Sequence, residues 1–317
     1  MFVFIIRRLL AVIPVLFVVS LVVFILLRLT PGDPATVLAG DSATMKEIEM
    51  VRESLGLNRS IYVQYGIWVG NLLRGDLGFS FFFDRPVGEL ILARVEPTLA
   101  LAAGTLLLST IIAIPLGTIA GWKMGGLLDR LLSGFAISVF SFPLFVVGYL
   151  LIYVFSIRLQ ILPVQGYVGL ADAGWSGIWE WMRQLVLPWL ALSSVFVALL
   201  ARVTRASVSE VLTEDFIRTA RAKGLLEVTV LVRHALANSA VPIVTVIGSG
   251  VSVLIGGVVV TETIFVIPGM GSLTVDAVLQ RDFPVIQGVV MVFSVIYVMI
   301  NILIDISYLF LDPRIRY

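Results

Sequence analysis

The chain has 317 residues, 59% of them hydrophobic and 14% charged, and 22 Lys and Arg stand against 21 Asp and Glu. Soluble domains run near 45–50% apolar and about 25% charged, so this composition excludes a water-soluble enzyme, a disordered chain and a nucleic-acid binder. With no Cys and one His, disulfides, thiolate metal sites, Cys nucleophiles and His-built triads or metal clusters are excluded as well. An integral membrane protein remains.

A membrane-crossing helix needs about 20 mostly apolar residues. Six uncharged stretches meet or approach this, at 9–27, 98–122, 131–157, 185–201, 235–261 and 283–304. They are too long for strands and lack the alternation of a barrel. Backbone groups in lipid must be satisfied within the segment, so the expectation is an all-α protein with six transmembrane helices. Arg7 and Arg8 precede the first stretch. Its 19 residues exceed a signal-peptide core, so it is read as a retained helix.

Lys and Arg collect in short cytoplasmic loops. With the N-terminus inside, the cytoplasmic segments hold twelve of them and the two short outer loops hold three, Arg158, Arg183 and Arg281. Both termini are therefore expected in the cytoplasm. The chain divides into a first helix (1–29), an outer segment (30–97) and a five-helix core (98–317) that includes the cytoplasmic loop 202–234. In the outer segment, 42–55 has helical spacing with Ser42 as a possible cap, and 60–73 is apolar and aromatic. A second outer segment, 158–184, carries Trp175, Trp179 and Trp181. It reads either as an interfacial aromatic belt or as a docking surface for an external partner.

Loop 202–234 carries the clearest local signals. Thr213 is a good N-cap, Glu214 and Asp215 fall where a helix dipole favours acids, Arg221 and Lys223 fall in the last turn, and Gly224 sits at C′. A helix of about ten residues follows, with Phe216, Ile217 and Ala220 on its apolar face. It is read either as docking into a partner's cleft or as lying on the membrane surface. The prolines at 115 and 143 are expected to kink their helices. Gly117, Gly121, Gly248, Gly250, Gly256 and Gly257 are expected to let helices approach closely. No nucleotide-binding glycine loop, zinc-protease motif or serine-hydrolase motif occurs. Intramembrane carboxylates are scarce, with Asp305 near the end of the last span the exception. A proton-driven transporter would carry several deeper in the bundle, so energy is expected to enter from elsewhere.

Residues 217–224, Ile-Arg-Thr-Ala-Arg-Ala-Lys-Gly, followed by Arg233-His234-Ala235 and Pro242, resemble the cytoplasmic loop of importer permeases. These are the membrane subunits of binding-protein-dependent ATP-binding-cassette (ABC) systems, and the closest likeness is to their dipeptide/oligopeptide/nickel branch. Arg28-Leu29-Thr30-Pro31-Gly32-Asp33-Pro34 resembles the end of that branch's first span. Leu55-Gly56-Leu57, residues 62–65 and Arg74-Gly75-Asp76-Leu77-Gly78 are similar to its outer segment. Residues 262–265, Pro268-Gly269-Met270-Gly271 and Arg281-Asp282-Phe283-Pro284 are similar to its last outer loop, and 311–317 to its C-terminus. At 218–220 the chain reads Arg-Thr-Ala, where the wider pattern has Glu-Ala-Ala.

The resemblance implies a transport subunit of the bacterial or archaeal cytoplasmic membrane, forming half of a pathway for peptides or a related small solute. It implies a second permease as partner (a heterodimer), two ATPase subunits, and a periplasmic or lipid-anchored substrate-binding protein. It also implies no catalytic site, metal or cofactor in this chain, with ATP and Mg held by the ATPases. Thr213, Glu214, Asp215, Phe216, Arg218, Ala220, Arg221, Lys223 and Gly224 are expected to couple to an ATPase. In that reading Phe216 and Ala220 form the packed centre, ringed by the charged residues. Pro268, Gly269, Gly271, Asp276, Arg281 and Asp282 are candidates for an outer gate or a contact with the binding protein. The competing class is a self-sufficient secondary transporter or channel, which would need charges or broken helices at mid-bilayer.

Overall fold

A computed structural model describes residues 2–29, 35–36, 44–54, 56–80 and 82–311. Ser42 and the C-terminal residues 312–317 lie outside the described residues, as does most of the 28–34 motif. The chain forms two compact units, residues 1–95 with 272–299, and 96–271 with 300–317. Among the described residues, five helices are long and apolar enough to cross a membrane, and a bent pair makes a sixth if it counts as one span.

In the first unit, α1 (Phe2–Leu29) is followed by two shorter helices, α2 (Met45–Ser54) and α3 (Ile61–Leu73). Thr44, rather than the expected Ser42, opens α2. Its backbone N–H and hydroxyl donate to the Glu47 carboxylate at 2.7 and 2.8 Å, and the Glu47 N–H returns a 3.4 Å bond to the hydroxyl. This reciprocal box satisfies two donors that a helix start leaves open, and the bonds hold the Glu47 carboxyl below its usual range. A two-residue hairpin, β1 (Phe79–Ser80) against β2 (Arg85–Pro86), leads into the 36-residue α4 (Val87–Trp122). There the first turn of α4 packs on the last long helix, α11 (Phe283–Leu311): a Cβ on Gly288 would lie 2.6 Å from Val87.

The second unit is built around α7 (Ile178–Val211), the most enclosed of the apolar helices. Phe196, Val197, Leu200 and Ala201 of α7 pack with Ala113 and Ala120 of α4, Leu132 of α5 (Leu127–Ser141) and Ile243 of α9 (Ala240–Phe265). Glycines set the closest approaches. A Cβ on Gly117 would lie 2.5 Å from the Ala201 carbonyl, and one on Gly250 would lie 1.9 Å from the Phe196 ring. Gly121, Gly248 and Gly257 are similarly tight. Gly256 has nothing within 4 Å, so it is not one of the packing glycines expected from the sequence.

The third apolar stretch is not one straight helix. α5 ends at Ser141, Phe142 and Pro143 are extended, and α6 (Leu144–Leu151) leaves at 103° before a π-helical turn at Ile152–Arg158. Pro143 has no N–H to give the preceding turn and disfavours helix at Phe142. α4, by contrast, continues unbroken through Pro97 and Pro115, and α7 through Pro188.

Candidate functional site

The loop after α7 folds into a short helix, α8 (Asp215–Ala222). It starts one residue later than the sequence suggests. Thr213 belongs to the preceding turn, where its hydroxyl donates to the Glu210 carbonyl at 2.7 Å. Glu214 occupies the cap position in extended conformation, and its side chain makes no capping bond. The far end is as expected. Gly224 has φ +76° and its N–H reaches the Arg221 carbonyl at 2.9 Å, a left-handed stop that favours glycine.

One face of α8 is locked to the chain. Ile217 and Ala220 are buried with Val208 of α7, and with Val230 and Ala235 of a π-helical turn at Val230–Leu236. Arg221 forks onto Glu227 at 2.8 and 3.3 Å, closing the loop behind Gly224. The other face is open: Glu214, Asp215, Phe216, Arg218, Thr219 and Lys223 are exposed. The Asp215–Arg218 pair at 3.2 Å is almost fully solvated and contributes little. The apolar residue presented outward is thus Phe216, while Ala220 faces the protein interior. The sequence reading grouped these two as one docking centre. Phe216 and Ala220, four positions apart, lie only about 40° apart around the helix, so Phe216 stands at the edge of the face whose buried residues are Ile217 and Ala220.

Three further apolar residues extend the outer surface. Leu226, Val228 and Val232 are 76%, 72% and 56% exposed beside Phe216's 43%. Sequence reasoning missed them. Their signal was an apolar run, Leu225-Leu226 and Val228, just beyond a helix-stopping glycine.

The candidate outer residues divide between the two units. In the second unit, Glu262 lies inside α9 with no solvent exposure, and Thr98 donates to its carboxylate at 2.6 Å. The same Thr98 hydroxyl accepts the Met270 N–H at 2.8 Å. Gly269 and Gly271 are buried against that carboxylate, so a Cβ on Gly269 would lie 2.1 Å from it. Pro268 is exposed at the tip. Val266, the last cap of α9, has φ +53°, a conformation that a β-branched residue rarely adopts. In the first unit, Asp276 and Arg281 are exposed, whereas Asp282 is buried. Asp282 accepts the Ser80 hydroxyl and, at 3.4 Å, the Val285 N–H near the start of α11, which makes it a cap and strut.

The segment 158–184 is tied to Glu96 of α4 and packs Leu162, Tyr167 and Trp181 against the core. Tyr167 donates to both oxygens of Glu96 at 2.7 Å and accepts from Trp181 at 3.2 Å. Burial, and then the bond to Glu96, push its phenol well above the ordinary range. Trp181 meets Trp189 edge-on at 6.0 Å, so it belongs to the interior, and Trp179 is left exposed.

Among the described residues, five or six helices long and apolar enough to cross a membrane define the chain as a multi-pass membrane protein. Residues 113–317 match the family described as "Binding-protein-dependent transport system inner membrane component", and residues 1–102 match its N-terminal component. The chain is 47% identical over 315 residues to the "Probable peptide ABC transporter permease protein y4tP" of Sinorhizobium fredii, covering 99% of both. It is 41% identical over 314 residues to the "Glutathione transport system permease protein GsiC" of Escherichia coli K12, again covering 99% of both. The chain belongs to the binding-protein-dependent transport permeases: it is an ABC importer permease subunit of the inner membrane.

Proposed function

We propose that this permease imports a peptide or short peptide-like solute and that α8 is the element through which a partner ATPase drives it. The observation that carries this reading is the two-sidedness of α8. Ile217 and Ala220 fasten it to α7, so a push on α8 is delivered to a membrane-crossing helix. Phe216, with Leu226 beyond Gly224, gives a partner an apolar surface to grip. The substrate class follows the relatives, which are named for peptides and for glutathione.

The working assembly in this reading has a second permease, two ATPases that hold ATP and Mg, and an external binding protein. This chain contributes no catalytic group and binds no cofactor. Both termini and α8 are cytoplasmic, in keeping with the distribution of Lys and Arg along the chain. Closure of the ATPases is a ligand-biased switch of a two-state element, as coupling between distant sites requires.

The test compares Phe216→Asp with Ile217→Asp in the assembled importer. Phe216→Asp is expected to leave the permease folded and monodisperse while abolishing ATPase retention and uptake. Ile217→Asp is expected to unfold the loop itself. A Phe216→Asp importer that retains its ATPases and transports normally overturns the assignment.

A further inference from the structure

Helix α3 is unlike any other extramembrane element of the chain. Its 13 residues, Ile61–Leu73, contain no charge, and the charges nearest to it are Arg59 and Arg74 at either end. No residue of it is buried. Tyr62 and Leu73 are 85% and 83% exposed, and Ile61, Val63 and Ile67 stand open beside them. In water the side that carries Ile61, Tyr62, Val63, Ile67 and Leu73 would be a large open apolar surface. At about 20 Å the helix is also too short to cross a bilayer. Neighbouring α2 is the contrast: Lys46, Glu47, Glu49, Arg52 and Glu53 fill half of it.

The contacts of α3 with α1 fix its depth. The candidate span of α1 is Ile6–Leu26, 21 residues with Arg7 and Arg8 at its start, or about 31 Å, the thickness of a hydrocarbon core. Ser20 lies six residues before the end of that span, about 9 Å inside it, and Phe17 about 13 Å inside. Tyr65 of α3 shares a 2.8 Å hydrogen bond with Ser20 and meets Phe17 and Phe24 edge-on at 6.4 and 5.2 Å. Trp68 packs on Phe24 at 5.8 Å. Higher up, Gln64 accepts from Arg28, beyond the end of the span, and donates to the Leu57 and Arg59 carbonyls. The Gln64 contacts of α3 thus lie level with the end of the α1 span, and the Tyr65 and Trp68 contacts, with the Tyr65–Ser20 hydrogen bond, lie level with its interior.

We propose that α3 is inserted into the leaflet at the C-terminal end of α1, with Tyr62, Ile67 and Leu73 in contact with lipid. Lipid is the occupant because this surface continues the lipid-facing surface of α1. Phe17, which meets Tyr65, is itself 56% exposed, and Val18 and Val22 beside it are open. Arg59 and Arg74 lie where cationic side chains reach back to the interface. The segment between the first two spans is therefore not wholly aqueous: it dips into the membrane and anchors there. This inference requires only that α1 crosses the bilayer. It is independent of the substrate and of the role of α8.

The chain has no cysteine, so single nitroxide labels can be placed without background. Tyr62→Cys and Ile67→Cys would be labelled in the full-length permease, within the assembled importer, in phosphatidylethanolamine–phosphatidylglycerol nanodiscs. Leu10→Cys on α1 serves as the lipid reference and Lys46→Cys on α2 as the water reference. Power saturation with oxygen and with a water-soluble nickel chelate reads depth. The expected result is high oxygen and low nickel access at both test positions, close to Leu10→Cys, in monodisperse samples with normal uptake. Nickel access like that of Lys46→Cys places α3 in water and overturns the proposal. Low access to both reagents means that protein covers α3, which also overturns it and points to the second permease. Labels at two positions on different sides of the helix keep one perturbed variant from deciding the outcome.

Discussion

Arg205 of α7 grips the carboxylate of Asp129, the third residue of α5, with Nε on one oxygen and Nη2 on the other at 2.9 Å. Asp129 is nearly buried and also accepts the Gly125 N–H at 2.8 Å, so it fixes the turn between α4 and α5 as well. Val208, which holds Ile217 and Ala220 of α8, is one helical turn beyond Arg205. The pair therefore ties the helix that carries α8 to two neighbouring helices. Arg205→Lys, which lacks the planar fork, and Asp129→Asn are each expected to cost about 1.5–3 kcal/mol, the range for hydrogen bonds to charged groups. Partial exposure of Arg205 favours the lower end. A double-mutant cycle on thermal unfolding checks this. Strict additivity of the two losses would show that the residues do not act as a pair. In transport assays these variants are expected to hydrolyse more ATP per solute imported, because the push on α8 is less firmly transmitted.

The Glu262 pocket makes a sharper steric prediction. Gly269→Ala places a methyl group 2.1 Å from a buried carboxylate that Thr98 already holds. Neither group has room to yield, so the loop at 268–271 must leave its seat. The expected result is a large loss of thermal stability or of folded yield. Gly75→Ala, a glycine with φ +82° and open space around it, would pay only the backbone cost, about 1–2 kcal/mol for a left-handed residue. Equal behaviour of the two variants would refute the packing argument.

Much of this architecture is legible in the residues, because the bilayer demands long uncharged runs and such runs are conspicuous. What is not legible depends on direction. Phe216 and Ile217 are adjacent and both apolar, and only the fold shows that Ile217 turns inward while Phe216 stays exposed. Glu262 follows an uncharged run and so reads as the first residue of a loop. It proves to be inside α9, because Thr98 and the loop at 268–271 supply a polar seat. Pro143 reads as a kink and is a 103° break, whereas Pro115 reads the same and leaves α4 continuous. The residue type sets the missing hydrogen bond, and the surrounding packing decides how far the chain turns.

Val266 holds the end of α9 in a left-handed conformation, φ +53° and ψ +45°, with its side chain 61% exposed. Its valine isopropyl group gains little burial there and bears the steric cost of that region, about 1–2 kcal/mol for a residue with a Cβ. Val266→Gly removes the clash and keeps the N–H bond to the Glu262 carbonyl. The variant is expected to raise the unfolding temperature measured in detergent. A lowered temperature would mean that the side chain has a contact worth more than the strain, which in an exposed position would have to come from a partner or from lipid.

Two glycines six residues apart on α9 provide the final contrast. Gly250 faces α7, and a Cβ there would lie 1.9 Å from Phe196, so Gly250→Ala must push the two helices apart or displace a buried ring. Overpacking of this kind costs about 1–3 kcal/mol, and it falls on the helix that leads to α8. Gly256→Ala meets nothing within 4 Å and is expected to stabilise α9 by about 0.5–1 kcal/mol through lost backbone freedom. The measurement is paired: unfolding temperature, and ATP hydrolysed per solute imported, for each variant in the same assembled importer. Opposite signs in stability, with transport impaired only for Gly250→Ala, are the expected outcome. If Gly256→Ala also impairs transport while stabilising the protein, then Gly256 serves as a hinge, and the freedom of α9 at that point belongs to the transport cycle.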